Sequence, residues 1–128
     1  MKIQIRNTSQ DPIYLQIQKQ LREAILKGEL EEESMLPSIR FLAKELRVSV
    51  ITTKRAYDEL EREGLIYSIQ GKGSFVAAQS RDWNREQLLM HVEKGLDEAL
   101  HYAQIAGLSH EELVDMLRAL EEEHDERH

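Results

Sequence analysis

The chain has 128 residues, of which 41% are hydrophobic and 32% are charged, which suits one globular domain or a small domain with an appendage. It contains no cysteine, which excludes disulfide bonds, thiolate catalysis and thiolate metal sites. The sequence has no long apolar run and no apolar stretch near its start, so we expect a cytoplasmic protein without a membrane span or a secretory signal.

The net charge of −7 is unevenly distributed along the chain. Residues 1–79 carry 12 basic and 11 acidic side chains, whereas residues 80–128 carry 5 basic and 13 acidic ones. All five histidines also lie in the second part. The acidity therefore does not prevent the first part from presenting a basic face to a nucleic acid.

Three amphipathic helices are predicted in the first part, because apolar residues recur there at three- and four-residue spacing. An alternating segment around Ile3 and Ile5, read as a short strand or an extended arm, precedes the first helix over residues 13–27. The second helix begins near Ser38, and the third runs over Val50–Glu63.

A β-hairpin is predicted after Gly64, where the apolar pattern changes. Residues 65–69 and 74–76 form its strands, and Gly71-Lys72-Gly73 lies at its tip. The order of helix, helix, short turn, helix and hairpin is that of a winged helix-turn-helix. We expect this domain to span residues 1–79.

The remaining residues, 80–128, are predicted to form a two-helix hairpin with an acidic tail. Gly107 separates its helices, and Ser109 begins a capping box with Glu112. Two helices cannot bury their apolar faces alone, so we expect them to form a dimer interface. The alternative is that the hairpin folds back on its own winged helix. The residues expected at the interface are Leu88, Val92, Leu96, Ala99, Leu113, Leu117 and Leu120.

The third helix has the pattern of a recognition helix. One side is small and apolar, and the other is mostly charged but carries Ile51 in the first turn. In such helices the first turns contact bases and neighbouring cations contact phosphates. A solvated face with one exposed isoleucine is the alternative interpretation. The candidate DNA contacts on this helix are Ser49, Ile51, Thr52, Lys54 and Arg55.

Two further segments carry candidate phosphate contacts. Ser38 and Arg40 lie at the start of the second helix, where backbone N–H groups favour an anion. The glycines of Gly71-Lys72-Gly73 allow close approach to a nucleic-acid backbone, and Lys72 adds a charge. Simple helix capping and a simple turn are the respective alternatives.

The stretch LPSIRFLAKELRVSVITTKRAYDELEREGLIYSIQGKGSFV resembles the DNA-binding domain of the GntR superfamily of bacterial regulators. The resemblance covers roughly residues 10–78. It implies operator recognition by the third helix and a wing tip in the minor groove, with Arg40 as a phosphate contact and Thr52 as a further contact. Where many members have a guanine-reading arginine, this chain has Val50.

The short second part resembles the YtrA-like subgroup, whose members end in two helices. The resemblance implies a homodimeric transcription regulator, a repressor of genes for an ABC-type transporter, bound to double-stranded operator DNA. The residues themselves identify neither the operator nor a small-molecule effector. A protein-interaction module on a winged-helix scaffold is the alternative function.

No enzymatic site is recognisable, because the sequence shows no nucleophile–base pair and no phosphate-binding loop. His124 and His128 have the four-residue spacing of a helical metal pair, but they lie in an acidic tail. We therefore expect no cofactor and no metal. The predicted fold is mostly α, with a small β-wing and a C-terminal dimerisation hairpin.

Overall fold

The computed structural model describes residues 2–126, and in this range it contains five α-helices and one two-stranded antiparallel sheet. The elements are α1 (Ile13–Leu26), α2 (Ile39–Leu46), α3 (Val50–Arg62), β1 (Ile66–Ile69), β2 (Gly73–Val76), α4 (Arg81–Ala106) and α5 (His110–Glu126). The predicted order of elements is confirmed, and their ends differ from the predicted ones by about one residue. No helix in the described range is long and apolar enough to cross a membrane.

The chain divides into two compact units, one through Asn84 and one from Arg85 onward. The division falls within α4, whereas the boundary proposed from the sequence lies before that helix. Trp83 accounts for this placement, because its half-buried side chain packs against the core of the first unit.

The core of the first unit joins α1, α2, α3 and the sheet. α3 packs against both preceding helices, which makes it the central element of this unit. The buried core residues are Ile17, Leu21, Ile25, Leu36, Leu42, Ala56, Tyr57, Leu60, Leu65, Ile66 and Val76.

Two glutamines of α1 hold the N-terminal segment as an extended arm. Gln20 accepts from the Gln4 N–H at 2.9 Å and donates to its carbonyl at 2.7 Å. Gln16 does the same for the backbone of Arg6, at 2.8 and 3.0 Å. The side chains thus replace the partner strand that the arm lacks, and the alternating Ile3 and Ile5 pack against the core.

Four helices end in the same backbone motif, with a residue at positive φ after the helix. In each, the next residue donates its N–H to the carbonyl five positions back, at 2.9 to 3.1 Å. Gly28, Gly64 and Gly107 occupy this position in three cases, with φ between 72° and 80°. Arg47, with φ 58°, occupies it at the end of α2. A side chain in this conformation costs about 1–2 kcal/mol, which glycine avoids.

The wing comprises β1, β2 and the turn between them. The segment before α2 pairs with the free edge of β2. β2 exchanges hydrogen bonds with this segment, from Leu36 N–H to the Ser74 carbonyl at 2.9 Å and from Val76 N–H to the Ser34 carbonyl at 3.0 Å. Tyr67 of β1 stacks on Phe75 of β2 and donates its hydroxyl to Glu33. These contacts fix the wing to the chain that leads into α2.

A hydrogen bond fixes α3 to the start of α2. The Tyr57 hydroxyl donates to the Pro37 carbonyl at 2.7 Å, immediately before the N-cap residue Ser38. Burial raises the pKa of Tyr57, so its hydroxyl remains a donor throughout the physiological pH range.

The second unit has little buried surface of its own. Ala103 is the one buried residue among residues 85–126, and Leu108, Leu113 and Val114 beside the turn are half-buried. The predicted capping box is present, since Ser109 and Glu112 exchange side-chain-to-backbone bonds of 3.0 and 3.1 Å. Hydrogen bonding to Ser109 lowers the pKa of Glu112, with the larger contribution from the Ser109 N–H and the smaller one from its hydroxyl.

We expect Tyr57→Phe to lower the free energy of unfolding by about 1 kcal/mol, because the Pro37 carbonyl loses its donor. For the first unit this corresponds to a fall in Tm of roughly 4–8 °C, measured by thermal denaturation. Tyr102→Phe is the matched control, since the Tyr102 side chain is exposed. An unchanged Tm of Tyr57→Phe would contradict the prediction.

Candidate nucleic-acid interface

α3 has one buried side and one exposed side, as its spacing predicts. Thr53, Ala56, Tyr57 and Leu60 face the core, and the Thr53 hydroxyl is satisfied by the Ser49 carbonyl at 3.1 Å. The exposed side carries Ile51, Lys54, Arg55, Asp58 and Arg62. Burial of the first set turns the second set toward solvent.

The first turn of α3 presents an apolar and a hydroxyl group together. Ile51 is 82% exposed, so its side chain is almost entirely available to a ligand. Ser49 caps the helix by accepting from the Thr52 N–H at 3.0 Å and donates its own hydroxyl to Thr52 Oγ1 at 2.7 Å. Ser49 is thus occupied by the cap, whereas the Thr52 hydroxyl keeps its hydrogen for another acceptor.

The two cations that follow on α3 both have partners within the protein. Lys54 forms an ion pair of 2.7 Å with Asp58, one turn later. The Arg55 guanidinium lies 3.8 Å from the centre of the Tyr14 ring of α1. Arg55 therefore helps to join α1 and α3, and its contact with DNA stays a prediction.

The start of α2 exposes a cation beside helix N–H groups. Ser38 caps the helix by accepting from the Phe41 N–H at 3.1 Å. The Arg40 side chain is exposed and makes no hydrogen bond or ion pair within residues 2–126. Phe41, which sequence reasoning did not single out, is 56% exposed beside it. Phe41 lies about 200° from the buried Ala43 around the helix, so the amphipathic pattern of α2 already indicated its exposure.

The wing tip is a tight turn closed by a hydrogen bond of 2.9 Å from the Lys72 N–H to the Ile69 carbonyl. Gly71, with φ 81°, has the positive φ that the third residue of such a turn requires. Gly73 is the first residue of β2 and pairs with Ile69, so it lies at the base of the turn. Lys72 is exposed, without a side-chain partner in the described part of the chain.

The arrangement has the charges and contacts that bind a polyanion. Arg40 and Lys72 offer charges that no carboxylate in residues 2–126 neutralises, while Ile51 and Thr52 offer apolar and hydrogen-bonding contacts. No group of three or more histidine or acidic side chains in that range is placed to hold a metal ion. Of the histidine pair noted in the sequence, His128 lies outside the described residues.

Comparison with known proteins places these features in a family. A family model described as "Bacterial regulatory proteins, gntR family" matches residues 13–76. The HTH-type transcriptional repressor YtrA of Bacillus subtilis (strain 168) is 33% identical over 118 residues, which cover 92% of this chain and 91% of that protein.

Solved structures agree with this assignment. A structure described as a transcriptional antiterminator from Listeria monocytogenes EGD-e has a TM-score of 0.74 at 31% identity, over 94% of this chain and 90% of its own. AraR(DBD) in complex with operator ORX1 has a TM-score of 0.54 at 28% identity, over 60% of this chain and 96% of its own. The chain therefore belongs to the GntR family of bacterial regulatory proteins, in its short YtrA-like subgroup.

Proposed function

We propose that the protein is a sequence-specific transcription repressor that binds a two-fold related DNA operator as a homodimer. The observation that carries the proposal is the first turn of α3, where Ile51 is almost fully exposed beside the available hydroxyl of Thr52. An exposed isoleucine at the start of a capped helix has no role in the core of this unit. It suits the methyl group of thymine in the major groove.

The neighbouring cations support this orientation on DNA. When the first turn of a recognition helix enters the major groove, the helix before it crosses the phosphate backbone. Arg40 lies at the start of that preceding helix, and Lys72 lies on the wing. Both lack internal partners in the described residues, so both charges are available to phosphates. AraR(DBD), whose fold is similar, is described in complex with its operator.

The second unit supports the homodimer. Leu88, Leu96, Leu117 and Leu120 are each about half exposed, between 46% and 54%. Val92 is also exposed, and so is Ala99, which lies on α4 about one turn after Leu96. Leu113 is half-buried near the turn. Together these side chains form an apolar stripe along the two helices. A second copy with the same stripe covers it and completes a helical bundle.

Only the resemblance to the YtrA-like subgroup suggests which genes the protein regulates. Resemblance to YtrA-like regulators suggests an operon for an ABC-type transporter near the gene of this protein. Footprinting on the DNA that flanks this gene tests the suggestion directly. A protected two-fold sequence there supports control of a neighbouring operon, and protection confined to unrelated promoters contradicts it.

Arg40→Ala and Lys72→Ala are each expected to weaken binding to every DNA sequence about equally, because phosphate contacts carry no base information. Each change lowers the slope of log K against log salt by roughly one unit, measured by fluorescence anisotropy at several salt concentrations. A change in sequence preference with an intact slope would contradict the assignment. Absence of salt-dependent DNA binding in the unmodified protein would favour the protein-interaction module instead.

Ile51→Ala is expected to cost about 1–3 kcal/mol of affinity for the operator, the range of one lost base contact, and little for random DNA. Because the side chain is 82% exposed, Tm stays unchanged. Ile13→Ala is the matched control, since Ile13 also lies in the first turn of a helix but on α1. The control leaves the ratio of operator to random affinity unchanged, and equal losses on both DNAs for Ile51→Ala would defeat base reading.

Leu96→Glu is expected to convert the dimer into a monomer at micromolar concentration, because it places a charge in the apolar stripe. Sedimentation velocity measures the change, and circular dichroism checks that the helices persist. Ile105→Glu is the control, since Ile105 lies nine residues along α4 and hence half a turn around it. A monomeric unmodified protein, or a dimeric Leu96→Glu variant, contradicts the proposal.

A further inference from the structure

Arg47 occupies a backbone position that this chain otherwise gives to glycine. The same helix-end motif closes α1, α3 and α4 with Gly28, Gly64 and Gly107, all at positive φ. In α2 the motif has the same hydrogen bonds, but Arg47 adopts φ 58°. Glycine satisfies the motif without strain, so the arginine side chain requires a separate explanation.

Two residues other than glycine have positive φ in the described range, Glu33 and Arg47. Their side chains differ in whether they have a partner within that range. Glu33 accepts the hydroxyl of Tyr67, which fixes the wing and accounts for its residue type. Arg47 is exposed, and its guanidinium makes no hydrogen bond, ion pair or ring contact within residues 2–126. Since residues 2–126 supply no partner for this charge, a partner outside the protein explains why the strain is retained.

The negative end of the α2 dipole is the competing explanation. A cation near the C-terminus of a helix is favourable, but Lys44 already lies in the last turn of α2. The effect is weak for exposed groups and is screened by salt. A second cation there adds less than the first, and it does not offset the strain that glycine at this position avoids.

The position of Arg47 identifies the external partner. It lies in the turn between α2 and α3, two residues before the N-cap Ser49 and three before the first residue of α3. If the first turn of α3 enters the major groove, this turn lies beside the phosphates that border the groove. We propose that Arg47 binds a phosphate of the operator backbone, a contact that rests on the proposed function and adds a third cation to Arg40 and Lys72.

Arg47→Gly separates the two roles, because it removes the charge and relieves the strain together. We expect affinity for operator and random DNA to fall roughly fivefold to tenfold per bound protomer at 0.1 M salt, since each phosphate contact contributes about 0.9 to the salt slope. We expect Tm to rise, since glycine is unstrained at this φ. Arg47→Lys keeps the charge and the strained backbone, and it retains most of the affinity and the slope.

Lys27→Gly is the matched control for net charge. Like Arg47, Lys27 is exposed and makes no side-chain bond in the described range, but it lies at the end of α1 that Arg22 joins to Glu63, at the opposite end of α3 from Ile51. We therefore expect its loss to leave the salt slope unchanged. Unchanged affinity and slope in Arg47→Gly, with a higher Tm, would assign Arg47 to the helix end alone and overturn this proposal. Failure of the unmodified protein to bind DNA would overturn the proposed function, and this contact with it.

Discussion

Leu60, Ala56 and Thr53 are completely buried along one side of α3, and this packing sets the rotation of the helix about its own axis. Side chains on an α-helix are separated by about 100°, so burial of one side determines which residues face outward. Ile51 therefore reaches solvent because it lies about 200° from Thr53 around the helix, and Thr52 lies between the buried and the exposed side. The Tyr57 hydroxyl also fixes α2 relative to α3, because it donates to the Pro37 carbonyl. Pro37 directly precedes the N-cap of the helix that carries Arg40.

The net charge of an acidic protein says little about the surface that contacts DNA. Carboxylates neutralise Lys54 through Asp58, and Arg22 bonds to Glu63 at 2.8 Å, so neither cation is fully available to another partner. Arg40 and Lys72 have no such partners within residues 2–126. Phosphate binding depends on these local charges, because interactions beyond about 10 Å are largely screened at ordinary salt.

Sequence reasoning predicted the elements, the wing and the buried side of α3, because each depends on local periodicity or on a single turn residue. It did not predict the hydrogen bonds that join the Gln16 and Gln20 side chains to the backbone of the N-terminal arm, since bonds of this kind leave no periodic pattern in the sequence. The positive φ of Arg47 was also missed, because its residue type does not indicate that conformation. The contact of Arg55 with Tyr14 was not predicted either, because it depends on how α1 crosses α3, and the DNA contact expected of Arg55 stays a prediction.

The free energy by which base contacts discriminate between DNA sequences bears on the oligomeric state. An apolar contact to thymine and one hydroxyl contact discriminate between bases by about 1–3 kcal/mol each. Specific binding exceeds non-specific binding by about 4–10 kcal/mol in regulators of this kind. Two such contacts in one first turn, with Val50 in place of a guanine-reading arginine, give about 2–6 kcal/mol, which reaches only the lower part of that range. Two such turns on two half-sites would double the discrimination, so the base reading that we propose for Ile51 and Thr52 goes together with the proposed homodimer.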